Sequence, residues 1–325
     1  MFSVIIPLYN KAPYIEKAIQ SVLAQTFQGF ELIVIDDGSK DNSLEICRGV
    51  LHTPEIKGRM QYAPTIIEQK NAGVSITRNN GVKLARYDYI AFLDADDWWS
   101  PTFLEEMKSL IEDFPEGALY ASSYYKVKNG KNITAKIGVS ADFKRGYFDY
   151  IQTYVNSIWM PITSISAVIK KDVFNEMQGF KSTLKLGEDF DLWLRIAMKH
   201  KIVFLNKPLA YYNQDVEQQN RATGNLHNPQ THILWNLEYL AEEENQNPNL
   251  KQLFDNLRTF SLFSYYLNNK YRELAKIELA KVDWTKQPKS TKRKYELPIW
   301  YWKLNFAIRK PLSVCKTFVM KKLKK

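Results

Sequence analysis

Short apolar runs alternate with amphipathic stretches along the first two thirds of the chain. Phe2 to Leu8, Glu31 to Ile35, Pro64 to Glu68 and Tyr87 to Leu93 have the length and apolar density of buried strands. Patterns of helical period lie between them. Pro13 suits a first-turn position, and Ile15, Ala18, Ile19 and Val22 fall on one face of the helix it would open. Ser100-Pro101 starts another helix, carrying Phe103, Leu104, Met107, Leu110 and Ile111. This alternation predicts a mostly parallel sheet covered by helices on both faces. Asn129-Gly130 sits between strand-like runs at Ala118 to Lys128 and Lys131 to Ile137, which predicts a tight hairpin and a locally mixed sheet. A helix over Tyr147 to Ser157, a strand over Ser164 to Lys170, a helix over Asp191 to His200 and a strand over Ile202 to Tyr212 complete the pattern. From about Asn228 the chain reads as helical, with a break at Glu242 to Asn249. An α/β domain over 1–226 followed by a helical region over 227–325 is the expected organisation.

Composition narrows the class. A chain of 325 residues has room for a full hydrophobic core. Its two cysteines, Cys47 and Cys315, exclude a disulfide framework and a cysteine-rich zinc site, which fits a reducing compartment. The start, Met1-Phe2-Ser3-Val4-Ile5-Ile6-Pro7, lacks a basic segment and a cleavage site, so no leader is expected. No uncharged apolar run approaches the roughly 18 residues of a spanning helix, and a cytoplasmic location is the expectation. The net charge of +10 is local: residues 285–325 carry 13 Lys or Arg against one acid, Glu296, leaving −2 for residues 1–284. Nucleic-acid binding by the whole molecule is therefore not the inference.

The candidate chemistry is acidic. Asp94-Ala95-Asp96-Asp97 follows the run Tyr89 to Leu93, and Asp36-Asp37-Gly38-Ser39 follows Phe30 to Ile35. Ligands of open α/β sheets bind beyond the carboxyl ends of the strands, where these acids fall with Tyr9-Asn10 and Lys70-Asn71. Clustered carboxylates repel one another and call for a cation, and hard oxygen ligands suit Mg²⁺ or Mn²⁺, with a diphosphate as the natural substrate group. A carboxylate also accepts from the N3–H of uracil or thymine or from the edge of guanine, whereas cytosine presents an acceptor. Arg78 adds a positive donor near such a nucleotide. Read singly, each acid has a plainer role: Asp36-Asp37 can cap a turn, and Glu188, Asp189 and Asp191 can stabilise a helix start. Trp98-Trp99 reads as packing or as a platform for a sugar ring.

Taken in order, Ser3 to Asn10, Asp36-Asp37-Gly38-Ser39, Asn71-Ala72-Gly73, Ala85 to Ile90 and Asp94 to Asp97 resemble the family 2 glycosyltransferases. The resemblance spans about Met1 to Tyr212. It implies a GT-A, Rossmann-like fold, a nucleotide-sugar donor, Mg²⁺ or Mn²⁺, and transfer with inversion. It further implies a nucleotide-binding part over about 1–97 and an acceptor part over about 98–226. Position by position, Pro7, Tyr9 and Asn10 match the first nucleotide-contacting loop, Asp37 the uracil-binding acid, and Arg78 the nucleotide-side arginine. Asp94 matches the acid near ribose and metal, Asp96 the metal ligand, and Asp189 of Leu186-Gly187-Glu188-Asp189 the catalytic base. A departure follows Tyr211-Tyr212, where many members carry His and this chain has Asn213-Gln214-Asp215. His52, His200, His227 and His232 show no ligand spacing that would replace it.

Ile299, Trp302 and Phe306, then Leu312, Cys315, Val319 and Leu323, repeat at helical spacing among lysines and arginines. Such a tail suits an anionic membrane surface without spanning it. The expected function is that of an inverting, metal-assisted glycosyltransferase of hexosyltransferase type, taking a UDP-sugar to a glycan or lipid-linked acceptor in cell-surface polysaccharide synthesis, peripheral at the inner face of the membrane. The competing classes are a sugar nucleotidyltransferase and a non-catalytic nucleotide-sugar-binding scaffold. The first is disfavoured because Pro7-Leu8-Tyr9-Asn10 stands where a Gly-rich phosphate loop would be needed.

Overall fold

The computed structural model describes residues 1–51, 63–157, 159–217, 226–302 and 304–305. His52, the tail stripe from Phe306 to Leu323 and part of the segment from Asn213 to His227 lie outside them. Contacts divide the chain into two compact units, Met1–Tyr239 and Leu240–Lys325. Residues 227–239, C-terminal to the division expected after 226, fall in the first unit.

The first unit runs β1 (Phe2–Leu8), α1 (Ile15–Leu23), β2 (Phe30–Asp36), α2 (Ser43–Leu51), β3 (Thr65–Glu68), α3 (Val74–Leu84), β4 (Tyr89–Phe92) and β5 (Trp98–Trp99). It continues with α4 (Phe103–Asp113), β6 (Leu119–Lys128), β7 (Lys131–Thr134), β8 (Arg145–Phe148), α5 (Tyr150–Val155), β9 (Ala167–Lys170), α6 (Lys171–Glu176), α7 (Glu188–Ala197) and β10 (Ile202–Asn213). One mixed sheet takes the order β3-β2-β1-β4-β9-β6-β10-β5, with β7 beside β6 and β8 beside β10. β1, β2, β3 and β4 are parallel neighbours, and β9 enters antiparallel between β4 and β6.

Central parallel strands are covered on both faces, so they read as continuous apolar runs, and every residue of β2 is buried. α1 buries Ile15, Ala18, Ile19 and Val22 against this sheet's core. It starts two residues after Pro13, because Tyr14 and Ile15 first turn back onto the Lys11 carbonyl. The stretch expected to be one helix over 147–157 splits: β8 ends at Phe148, and Asp149 caps α5 by accepting from the Gln152 N–H at 2.9 Å. β10 shifts register around Pro208, so its first half pairs with β8 and its second half with β5.

The second unit is helical, comprising α8 (Ala241–Gln246), α9 (Pro248–Ser261), α10 (Phe263–Leu267), α11 (Arg272–Leu279) and α12 (Lys289–Glu296). Asn247 separates α8 from α9 by accepting from the N–H groups of Asn249 and Leu250 ahead of the second helix. Leu250, Leu253, Phe254, Leu262, Ala275 and Leu279 form its core. Among the described residues no helix is long and apolar enough to cross a membrane.

Candidate active site

Parallel pairing brings the acid turns to one edge of the sheet. Leu8 lies opposite Asp36 and Ile5 opposite Phe92, so the chain leaves β1, β2 and β4 on the same side. The loop after β1 joins the turns that follow the other two strands. Asn10 donates its N–H to Ser39 Oγ at 3.1 Å, and Lys11 Nζ meets Asp96 Oδ2 at 2.6 Å. Pro7 is half-buried at the end of β1, while Tyr9 stands 42% exposed at the mouth.

Asp37 is buried and saturated. Its carboxylate accepts from the N–H groups of Ala72 at 2.8 Å and Gly73 at 2.9 Å, and from the side-chain amides of Gln69 at 2.8 Å and Asn71 at 3.2 Å. Four donors fill the four lone-pair sites a carboxylate offers. The next residue, Gly38, takes φ +73 with the Asn71 backbone nitrogen 3.1 Å from where a Cβ would sit, so only glycine fits this turn without strain. Asp36 supports the same turn by accepting from the Ser39 N–H at 3.1 Å.

Each acid of the Asp94-to-Asp97 turn has a partner. Asp94 Oδ1 takes Arg78 Nη2 at 2.6 Å, Asp96 takes Lys11, and Asp97 accepts from the Asn213 N–H at 2.7 Å. Asp97 is fully buried, and burial together with the charges of Asp96 and Asp94 drives its pKa well above the carboxylate range. Asp96 also sits high, through burial chiefly, with Lys11 opposing and Asp94 adding to the shift. Among the described residues no group of three or more His, Cys, Asp or Glu is arranged to hold a metal. The donor set nevertheless fits a hard cation, since Mg²⁺ and Mn²⁺ are commonly held by one or two carboxylates plus substrate phosphates rather than by an all-protein cage.

Arg78 lies beneath the acid turn that follows β4. It is 3% exposed, on the buried face of α3, and its Nη1 reaches Glu188 Oε1 at 3.1 Å while Nη2 holds Asp94. Burial disfavours its charge, but Asp94 and Glu188 outweigh that cost and raise its pKa. Arg78 thus ties the end of β4 to the start of α7, and so joins the acid turns to Asp189.

Gly187 sets the geometry of α7. It adopts φ +86 at the N-cap, with Ile233 Cγ2 2.3 Å from the position of a Cβ, so the segment 232–233 packs directly against the loop. Three acids then divide their roles. Asp191 is fully buried and bonded to Lys181, Arg195 and the Tyr239 hydroxyl, which makes it structural. Glu188 holds Arg78. Asp189 is half-buried, accepts from the adjacent Phe190 N–H, and carries a pKa pushed up to about 7 by burial first and Glu188 second, with Arg78 opposing. Burial raises the pKa values of the Tyr124, Tyr150 and Tyr154 phenols, and the negative charge of Asp189 adds to the shift.

Beside Asp96 lies a cleft of about 440 Å³ lined by Lys17, Trp98, Asn132, Asn213 and Asp215. Trp98 stacks on Tyr211 at 5.4 Å and holds the Lys17 ammonium 3.0 Å from its ring centroid, whereas Trp99 is buried with Nε1 donating to the Ile165 carbonyl. Asn213 rather than a histidine directly follows Tyr212, and its backbone meets Asp97. His232 is a core residue whose Nδ1 accepts from the Leu234 N–H, and burial lowers its pKa to about 4. Sequence reading passed over Lys11, because a lone lysine three residues into a loop carries no pattern; its neighbour Asn10, in a turn-prone Tyr-Asn-Lys, was the available signal.

Comparison with known proteins places this edge in a family. The model for glycosyl transferase family 2 matches residues 3–177, which includes both acid turns and stops before α7. GlyA of Streptococcus pneumoniae is 28% identical over 218 residues, covering 65% of this chain and 30% of GlyA. An uncharacterized glycosyltransferase of Rickettsia felis is 33% identical over 212 residues, covering 64% of this chain and 32% of that protein. The chain thus spans about a third of the length of these curated relatives. S. aureus TarS 1-349 in complex with UDP-GlcNAc superposes with a TM-score of 0.67 at 18% identity, over 86% of this chain and 78% of that one. The mannosyltransferase PcManGT of Pyrobaculum calidifontis, in complex with GDP-Man and Mn²⁺, gives 0.54 at 16% identity, over 97% and 83%. The mixed, mostly parallel sheet flanked by helices is the GT-A fold of these neighbours. With more than half its length matched and both acid turns inside the match, the chain belongs to glycosyl transferase family 2.

Proposed function

We propose that this chain is an inverting glycosyltransferase that moves a sugar from a nucleotide-sugar donor, a UDP-sugar by preference, to a hydroxyl of a glycan or lipid-linked acceptor. The carrying observation is that Asp37, Asp94 and Asp96 leave one sheet edge and that Arg78, through Glu188, ties that edge to Asp189. Pro7, Tyr9 and Asn10 border the nucleotide, Asp37 receives the base N3–H, and Arg78 positions Asp94 from behind. Because Asp37 is already saturated, binding a uracil requires the Gln69 or Asn71 amide to yield its place.

A sugar hydroxyl is a poor nucleophile, and a positioned base that removes its proton accelerates such a step by about 10² to 10⁴-fold. Asp189 takes that proton as the hydroxyl oxygen bonds to the anomeric carbon and the bond from that carbon to the diphosphate oxygen breaks. Attack from the face opposite the leaving group inverts the centre. A carboxylate with a pKa near 7 is a far better base at neutral pH than an ordinary aspartate, and burial, with the charge of Glu188 beside it, is what supplies it. Asp96 would hold a Mg²⁺ or Mn²⁺ ion, whose chemistry is to neutralise the charge growing on the diphosphate.

TarS with UDP-GlcNAc favours the uridine donor, while PcManGT with GDP-Man keeps guanosine in view, and an acidic base-reader suits both. A peripheral position on the inner membrane face is supported by the exposed Trp300, Tyr301 and Leu304 that follow the basic α12, in line with polysaccharide assembly there. A thermal-shift panel of UDP, GDP, dTDP and CMP, with and without Mn²⁺, tests the donor class. Metal-dependent stabilisation by UDP is expected, and a preference for CMP would remove Asp37 from the base site.

A further inference from the structure

The loop after β1 aims one lysine at the metal-side acid. Asn10 holds a left-handed φ of +51, uncommon outside glycine but tolerated by asparagine. Its Oδ1 accepts from the Lys40 N–H at 2.7 Å, its own N–H goes to Ser39 Oγ, and the Lys11 N–H goes to Ser43 Oγ at 2.7 Å. The Ala12 N–H completes the set on Asp41 Oδ2 at 3.1 Å. The backbone around Lys11 is therefore pinned to the segment that follows Asp37. From that base, Lys11 Nζ lies 2.6 Å from Asp96 Oδ2, with the two side chains only 16% and 19% exposed. A short, largely desolvated, charge-assisted contact of this kind is among the stronger polar interactions a protein makes.

We infer that Lys11 is the resident counter-ion of Asp96, so that a divalent ion and Lys11 compete for that carboxylate and the ion enters readily only with a nucleotide diphosphate. This inference rests on the reading of Asp96 as the metal ligand. An ammonium beside Asp96 takes up one of its two carboxylate oxygens and repels a +2 charge at short range. A diphosphate supplies the charge that reverses the balance. Its oxygens give Lys11 a new partner, suited to a flexible point charge with three donors, and release Asp96 to the ion. Metal and nucleotide then bind with positive coupling, and by linkage each strengthens the other by the same factor.

The test is Mn²⁺ binding to the full chain, followed by electron paramagnetic resonance and calorimetry, with and without saturating UDP. The wild type is expected to bind Mn²⁺ weakly alone and at least about tenfold more tightly with UDP, in the usual range of coupling between sites. Lys11→Met should raise the nucleotide-free Mn²⁺ affinity by about tenfold and shrink the effect of UDP, the loss expected on removing a charged hydrogen-bond partner. Lys11→Arg, which keeps the positive charge, should retain the weak nucleotide-free affinity. Equal Mn²⁺ affinity in wild type and Lys11→Met, with tight binding when UDP is present, would overturn the competition alone. Mn²⁺ bound by neither protein even with UDP, or bound undiminished by Asp96→Asn, would overturn the metal reading and this inference together.

Discussion

Both units bury an arginine among carboxylates, and the two clusters differ in what they leave open. In the second unit Arg258 is 2% exposed and lies against Glu244, Asp255 and Glu278, themselves 11%, 1% and 6% exposed. Its Nη2 meets Glu244 Oε2 at 3.0 Å, and Nη1 bonds the other oxygen, so the pair is bidentate. This cluster binds α8, α9 and α11 to one another, and Lys251 on Asp255 and Lys281 on Glu278 close its rim. In the first unit Arg78 is equally buried, yet its partner Asp94 is 31% exposed, and the neighbouring Asp96 edges a cleft. Closed off by its own lysines, a charge cluster is a fastening. Opened on one side, the same chemistry holds carboxylates in place for a ligand while keeping their free edges in reach of it.

The widest separation between the two should come from Asp189→Asn. With the base removed, transfer should fall by up to about 10⁴-fold while UDP affinity is unchanged, read by single-turnover rates beside calorimetry. An active Asp189→Asn enzyme would take Asp189 out of the mechanism. Arg258→Met should cost about 3 kcal/mol or more of stability in denaturant titration, because three acids lose the buried cation they share and keep only the outer lysines. A change near zero would mean that the cluster is not a fastening.

Next in size is the pH dependence. Only the carboxylate form of Asp189 can accept a proton, so the rate should fall as pH drops through about 7 rather than near the ordinary aspartate value. Arg78 opposes the upward shift, and Arg78→Met should therefore move this limb to higher pH. A limb that stays in place in that variant would separate Arg78 from the base. The smallest effect should belong to Lys108→Ala, which removes an exposed partner of Glu112: about 0.5 kcal/mol or less, against which the buried clusters can be judged.

The parts legible in the sequence were those written in periodicity. β1 and β2 are buried on both faces and give unbroken apolar runs, and α1 repeats Ile15, Ala18, Ile19 and Val22 at helical spacing. The turns Asp36 to Ser39 and Asp94 to Asp97 were visible because acids directly after such runs fall at a strand exit. β5 was not legible, since two residues have no period and only the bend of β10 at Pro208 gives Trp98 and Trp99 a partner strand. Nor were the partners of the acids. The sequence argues that clustered carboxylates need an external cation, whereas the fold already supplies Arg78 from α3 and Lys11 from the first loop. These contacts join residues 16 and 85 positions apart, a separation that no local pattern encodes. Asp189 was found by its Gly-Glu-Asp motif, but the tyrosines that feel its charge come from β6 and α5 and had no signal of their own.

The most direct test of the account is a crystal structure of the chain with UDP and Mn²⁺. The account predicts the uracil against Asp37, with Gln69 or Asn71 displaced from it, and the diphosphate bridging the ion on Asp96 to a Lys11 that has left that carboxylate. A nucleotide bound away from the edge shared by Asp37 and Asp96, or bound there with no ion beside Asp96, would contradict it.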